Sequence, residues 1–368
     1  MGEKNRKKKS GIWETVKTDF KESEITREVK YDLTDTLDFY LTEDQKTRMK
    51  GMGWFKKLLF IPAWLLRIMF FKLTRIRRLL LAVALILSVI SINNNNSSNN
   101  SFLGLIILLF ILILELKDKL IAVDELSAGR AVQTAFMPPE NPDIPGWSLW
   151  LYSRPANSVG GDMVDLIPID EKNYGIVLGD VSGKELGAAL YMVKLQSTLR
   201  ALASDFASLS DLGTKINKIF HRDSESNRFA TMVYISLNRD RENLKILNAG
   251  HIPPILLSNG KLIDMAKGSP AIGIKNTSRY REESIKLKKG DYLIVYSDGV
   301  SEAINTEGEF YGTGRFKDVL ITNKDLPPKE MGKNIIAAVN KFVGNNKFYD
   351  DLSLVILKKE ESAVSNKL

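Results

Sequence analysis

Four short stretches of this 368-residue chain place carboxylates at the ends of strand-like runs. They are "VGGDMVD" (Asp162, Asp165), "LGDVSGK" (Asp180), "YSDGVSEA" (Asp298, Glu302) and "YDDLSLV" (Asp350, Asp351). An aspartate beside a glycine is also ordinary turn chemistry, so no one stretch is decisive. As a set they say more. If the strands lie side by side the acids converge on one rim, where unpaired carboxylates repel unless cations sit between them. The chain has no cysteine and only two histidines, His221 and His251. Thiolate sites, cysteine nucleophiles, three-histidine zinc sites and HExxH helices are therefore excluded. What remains is an oxygen-ligated site for hard ions, two Mn²⁺ or Mg²⁺.

The lysine in "GDVSGK" raises a different possibility, a phosphate-cradling loop. The spacing excludes it. A P-loop needs Gly, four residues, then Gly-Lys-Ser/Thr; with Gly183-Lys184 as the final pair, Leu178 stands at the first position and Glu185 at the last. A nucleotide-driven kinase or ATPase loses its main support. Asp180 is left at the end of "YGIVLGD", with glycines that let the backbone come close to a ligand.

The elements that must position these acids occupy the second part of the chain. From about residue 140 the sequence alternates strand-like runs with turns: "GWSLWLYS", "DMVDLIPID", "FATMVYISLN", "LKILNAG", "PPILLSNGKLIDMA", "SIKLKKGDYLIVYSD" and "DLSLVILKK". "SNGK" at 258–261 is a hairpin signal. Helical periodicity appears at 186–204, 209–222 and 328–343. Clustered strands with few intervening helices predict an α+β layered domain with mostly antiparallel sheets.

The first part is different. Residues 1–130 hold 22 Lys/Arg against 15 Asp/Glu, whereas residues 131–368 are nearly balanced at 30 against 29. The acid-bearing domain thus lacks the basic footprint of a nucleic-acid binder, and the basic excess suits a membrane surface. Residues 1–50 form a polar, charged tail, with neither a signal peptide nor a lipidation pattern. Residues 51–116 read as membrane-associated. An interfacial stretch at 52–73 is interrupted by Pro62, and two apolar runs, 79–92 and 102–114, flank an Asn/Ser tract. The run 79–92 reaches about 21 Å as a helix against a hydrocarbon core of about 30 Å. The pair therefore reads as short spans or a re-entrant hairpin. Its basic flanks place both ends in the cytoplasm. A helix over 114–137 leads into the domain and ends at Pro138-Pro139. It is a spacer, a signalling element or a homodimer seam. Residues 361–368 are a tail.

Taken in order, "VGGDMVD", "GDVSGK" with "GAAL" after it, "NAGHIPPIL", "YSDGVSEA" and "YDDLSLVIL" resemble the SpoIIE/RsbU-type serine/threonine phosphatases, the bacterial branch of the PPM (protein phosphatase 2C-like) superfamily. The resemblance covers about 125–360. It implies an α-β-β-α sandwich over 138–360, which the membrane hairpin and linker helix read from the hydropathy precede. It also implies a binuclear Mn²⁺/Mg²⁺ centre in which Asp180 bridges, the Val181 carbonyl and Asp162 add ligands, and Asp298 and Asp350 hold the other metal. Asp351 would support the ligands, and His251 would be a structural residue or a general acid. Glu185 and Ser353 depart from the usual Gly and Thr. The resemblance further implies a phosphorylated regulatory protein as substrate, often a STAS-domain antagonist of an anti-sigma factor, and the apolar runs with their basic flanks place the chain at the bacterial cytoplasmic membrane. A non-catalytic, membrane-tethered partner-binding module of the same fold is the alternative.

Overall fold

A computed structural model describes residues 42–93, 98–225, 228–240 and 243–360. Most of the polar tail, the centre of the Asn/Ser tract and the last eight residues lie outside the described residues. The chain divides into two units, Met1–Leu120 and Ile121–Leu368.

The first unit contains α1 (Glu43–Lys50), α2 (Trp54–Lys72), α3 (Arg75–Asn93) and the first part of α4 (Ser98–Ala135). Thr42 and Gln45 close α1 with a reciprocal capping box. The expected break at Pro62 does not occur, and α2 runs through that position. α3 and α4 pack together. The Arg77 guanidinium holds Glu115 and Asp118, each at 2.6 Å, and a Cβ at Gly104 would lie 3.2 Å from the Ala84 carbonyl. The outer faces stay apolar and exposed, including Leu79, Val83, Ile86, Phe102, Leu105 and Leu112. Yet among the described residues no helix is long and apolar enough to cross a membrane. This corrects the expectation of spans over 79–92 and 102–114. Three arginines open α3, Glu115, Lys117 and Asp118 follow the second run, and the polar Asn/Ser tract lies between the two, so each apolar run is short. The second run and the linker, expected as separate segments, are one helix.

The second unit is built on two antiparallel sheets. One has the order β1 (Asp143–Ile144), β2 (Trp147–Arg154), β11 (Leu352–Lys359), β10 (Tyr292–Tyr296), β7 (Ile255–Ser258), β8 (Lys261–Asp264). The other has the order β3 (Asp162–Pro168), β4 (Asn173–Val181), β5 (Ala230–Asn238), β6 (Asn243–Ala249), β9 (Glu283–Lys286). Side-chain alternation builds three apolar layers. On β4, Ile176 and Leu178 face the layer between the sheets, whereas Val177 and Val181 face helices. On β11, Val355 and Leu357 join the central layer, and Leu352, Leu354 and Ile356 the outer one.

The helices cover the outer faces. α5 (Glu185–Leu202) and α6 (Leu209–Asp223) pack on the five-stranded sheet. α7 (Asp298–Ser301), α8 (Gly312–Thr322) and α9 (Pro328–Val343) pack on the six-stranded one. α6 buries Leu209, Leu212, Ile216 and Phe220, the one-face spacing of an amphipathic helix, and its Ser208 cap accepts from the Asp211 N–H. The α-β-β-α order of layers is the one expected. The hairpin at Asn259-Gly260 is also present, with both residues at positive φ (50° and 72°). α8 was not expected, because its opening Gly312 and Gly314 weaken the helical pattern.

Asp165 departs from the expected rim. It is fully buried and accepts from Arg200 of α5 through both oxygens, at 2.7 and 2.8 Å. Arg200 also donates to the Phe136 carbonyl at 2.8 Å, joining the end of α4 to α5. Arg200→Ala would leave a buried carboxylate uncompensated. Solvent reaches Arg200, whose side chain is 38% exposed, so the expected loss sits at the low end for such pairs, about 3 kcal/mol by denaturant unfolding.

Candidate active site

The backbone brings the remaining acids to one end of the sandwich. Asp162 opens β3 and Asp180 nearly ends β4, and they are direct cross-strand partners. Asp298 begins the single turn of α7 just after β10, and Asp350-Asp351 lead into β11, the neighbour of β10. Each sheet therefore contributes one pair of adjacent chain segments. The cleft where they meet is lined by Asp180, Asp350, Asp351, Gly160, Gly161 and Lys184, among others.

Asp351 organises the loops of this cleft. Its two carboxylate oxygens accept from the N–H groups of Ala156 (2.8 Å) and Asp162 (3.2 Å). Its carbonyl accepts from the Ser297 hydroxyl (3.0 Å), beside Asp298. A Cβ at Gly160 would collide with the Asp351 carboxylate, and one at Gly161 would sit 2.9 Å from the Val181 carbonyl. The "VGGD" glycines are thus required by close approach of the neighbouring strands.

The charges strain one another. Asp162 is held well above the usual carboxylate range, first by burial and then by Asp180 and Asp351. Asp180 is raised to about 7 by burial and then by Asp298, Asp350 and Asp351. Burial also raises Asp298, with Asp350 and Glu302 adding repulsion. Asp351 is raised by burial against the pull of its backbone donors.

Among the described residues no three His, Asp or Glu side chains gather round one point that would hold a metal ion. The donor set nevertheless suits hard cations. Asp162 is 4% exposed and its Oδ2 has no hydrogen-bond partner. The Val181 carbonyl faces Gly161, and the mutual repulsion of the acids is of the sign that bound cations relieve.

This repulsion has a measurable consequence without metal. The Asp180 carboxyl has a folded pKa of about 7, against about 3.9 unfolded. Between these values the folded chain binds more protons than the unfolded one, so its stability falls as pH rises. In chelator, the unfolding temperature is expected to drop from pH 5 to pH 7.5, and Asp180→Asn should flatten that slope.

His251 is settled by its contacts. It is 7% exposed, and burial lowers its pKa to about 4 against a hydrogen bond to the Tyr296 carbonyl. Nε2 lies 3.2 Å from that carbonyl, which can only accept. The ring is neutral, so Nδ1 accepts from Thr231 Oγ1 at 2.8 Å. Thr231 is opposite Asp180 on β5, and Tyr296 is two residues before Asp298. His251 therefore ties the two sheets together behind the acids and has no nitrogen free for acid catalysis.

Two contacts beside the acids had no signal in the sequence. Gln133 of α4, 4% exposed, donates from Nε2 to the Gly160 carbonyl (2.9 Å) and accepts from the Gly160 N–H (3.2 Å). Arg228 donates to the Ser182 carbonyl at 2.8 Å, just after Asp180 and Val181.

Comparison with known proteins follows the same outline. Residues 170–360 match the family of Stage II sporulation protein E (SpoIIE). Phosphoserine phosphatase RsbU of Bacillus subtilis is 25% identical over 238 residues, 64% of this chain and 70% of RsbU. Protein IcfG of Synechocystis is 29% identical over 237 residues, 57% of this chain; the chain spans only 37% of that longer protein. Among solved structures, the SiaA-PP2C domain of Pseudomonas aeruginosa superposes with a TM-score of 0.57 at 19% identity, over 66% of this chain and 98% of that one. That likeness is one of fold.

Proposed function

This chain belongs to the SpoIIE family, and from that premise we propose that it is a metal-dependent serine/threonine protein phosphatase. The single observation that carries the reading is the convergence of Asp162, Asp180, Asp298 and Asp350 from both sheets at one end of the sandwich, where they repel one another, with Asp180 and Asp350 lining a cleft and a buried Asp162 oxygen lacking a partner. The name of RsbU, a phosphoserine phosphatase, supports the same chemistry.

In this reading Asp162, Asp180, the Val181 carbonyl, Asp298 and Asp350 would hold two Mn²⁺ or Mg²⁺ ions. When bound, such ions would supply a water of lowered pKa and charge to neutralise phosphoryl oxygens during in-line attack. The chain's own residues supply the positioning. Asp180 stands opposite Asp162 and contributes from one sheet, while Asp298 and Asp350 contribute from the other. Asp351 fixes the loops carrying Asp162 and Asp298, and His251 holds the sheets in register behind them. Water and a phosphoserine or phosphothreonine ester give the free hydroxyl and inorganic phosphate, with no covalent enzyme intermediate.

The substrate class we propose is a phosphorylated regulatory protein, such as a STAS-domain anti-sigma-factor antagonist. The first unit attaches the enzyme to the inner face of the bacterial cytoplasmic membrane. The support is its exposed apolar face on α3 and α4 together with the local basic excess. The exposed Leu116, Leu120 and Val123 of α4 support pairing with a second copy.

The test is hydrolysis of p-nitrophenyl phosphate and of phosphoserine peptides by the full chain, with Mn²⁺ and with chelator. Turnover only with the ion is expected. A well-folded protein without ion-dependent turnover would favour the non-catalytic partner-binding module instead.

A further inference from the structure

Among the described residues that line the acidic cleft, Lys184 is the one cation. Its side chain is exposed, forms no ion pair among the described residues, and donates one long hydrogen bond, Nζ to the Tyr349 carbonyl at 3.4 Å. The backbone leading to it is held much more firmly. The Ser182 N–H donates to the Phe229 carbonyl (2.9 Å), the Phe229 N–H donates to Ser182 Oγ (2.9 Å), and Arg228 donates to the Ser182 carbonyl (2.8 Å). Gly183 sits at φ +109°, and a Cβ there would run into the Arg228 guanidinium. The loop after Asp180 is therefore clamped by residues 228–229, while the lysine it presents is held at the cleft by that one long contact alone.

A lysine that lines the same cleft as Asp180, Asp350 and Asp351 and salt-bridges none of them is positioned for a different anion. A phosphate monoester carries about −1.5 to −2 charges at neutral pH and must enter a cleft lined by carboxylates. A mobile ammonium on a fixed base can meet a phosphate oxygen as a point charge. We propose that Lys184 is a phosphate-binding residue, contacting a non-bridging oxygen of the substrate's phosphoryl group and of the phosphate product. The inference rests on the phosphatase reading. The competing role is a tether for the Tyr349 carbonyl, which would act through stability.

The experiment compares the full-length wild type, Lys184→Gln and Lys184→Arg. Steady-state kinetics use a phosphoserine peptide with Mn²⁺, titration calorimetry uses inorganic phosphate, and thermal unfolding is recorded for each. The expected result for Lys184→Gln is a KM and a phosphate Kd raised roughly tenfold or more, the range of a lost charge-assisted contact. Its kcat should stay within about threefold, as for binding shared by ground and transition states. Its unfolding temperature should not change, and Lys184→Arg should recover most of the affinity. Unchanged KM and Kd in Lys184→Gln would overturn the proposal, as would a defect that follows a lowered unfolding temperature. If the wild type shows no Mn²⁺-dependent turnover, the phosphatase reading fails. The calorimetric comparison still judges Lys184, because equal phosphate binding by wild type and Lys184→Gln overturns its assignment.

Discussion

Asp180→Asn is expected to abolish Mn²⁺-dependent turnover while leaving the fold at least as stable in chelator. Asp180 is the acid with most neighbours of its own sign, and Asp298, Asp350 and Asp351 each raise its pKa. That makes it the carboxylate closest to the electrostatic centre of the cleft. Replacing one oxygen anion by an amide keeps the shape and removes a unit of charge. The loss in kcat/KM should be roughly 10²-fold or more, the scale of a lost electrostatic contact to a developing charge. The same change removes repulsion from the metal-free protein, so its unfolding temperature in chelator should be unchanged or higher. A structural defect would lower both quantities together. Near-normal Mn²⁺-dependent activity in the purified variant would remove Asp180 from the site.

The second large effect concerns the end of α4. A fragment beginning at residue 121 keeps three ties: Gln133 to both backbone groups of Gly160, Gln196 to the Phe136 carbonyl at 3.1 Å, and Arg200 to the same carbonyl. A fragment beginning at residue 140 loses all of them. Gly160 adjoins Gly161-Asp162 and lies against the Asp351 carboxylate, so its loosening reaches the cleft rather than the core. The fragment from 140 should need roughly tenfold more Mn²⁺ for half-maximal activity, equivalent to about 1.4 kcal/mol of lost positioning. Its KM for substrate should be nearly unchanged at saturating Mn²⁺. Equal Mn²⁺ dependence in the two fragments would reduce this helix to a spacer. If position in α4 sets this requirement, a second copy or a lipid bound to it can regulate the enzyme through its differential affinity for two arrangements.

The layer order and the ends of the acid-bearing strands were legible in the sequence because both rest on local rules. Alternation on β4 and β11, turn residues at 258–261 and the heptad-like spacing in α6 and α9 each depend on a few neighbours. Where the sequence misled, the deciding contacts were distant. Asp165 sits in the same motif as Asp162, but an arginine 35 residues away takes it into a buried pair. Gln133 looks like any polar helical residue until Gly160 is beside it. The two apolar runs are short on their own, and the question of a span turned on whether the Asn/Ser tract between them extends the apolar helices; among the described residues no helix is long and apolar enough to cross a membrane.

The neighbouring strands β2 and β11 pair along their whole length, from Arg154 opposite Leu352 to Trp147 opposite Lys359. Their hydroxyls at Ser153 and Ser353 meet across 200 residues of chain. During synthesis β2 emerges first and must wait for β11. At about 5–20 residues per second that interval is on the order of 10–40 s. Throughout it the apolar Trp147, Leu149, Trp150 and Leu151 lack their partner strand, which makes the nascent chain dependent on whatever shields such edges. The segment that ends the wait also brings Asp350 and Asp351. No partly made chain can therefore carry a complete cleft, and an unfinished copy of this protein cannot act on a substrate ahead of its own folding.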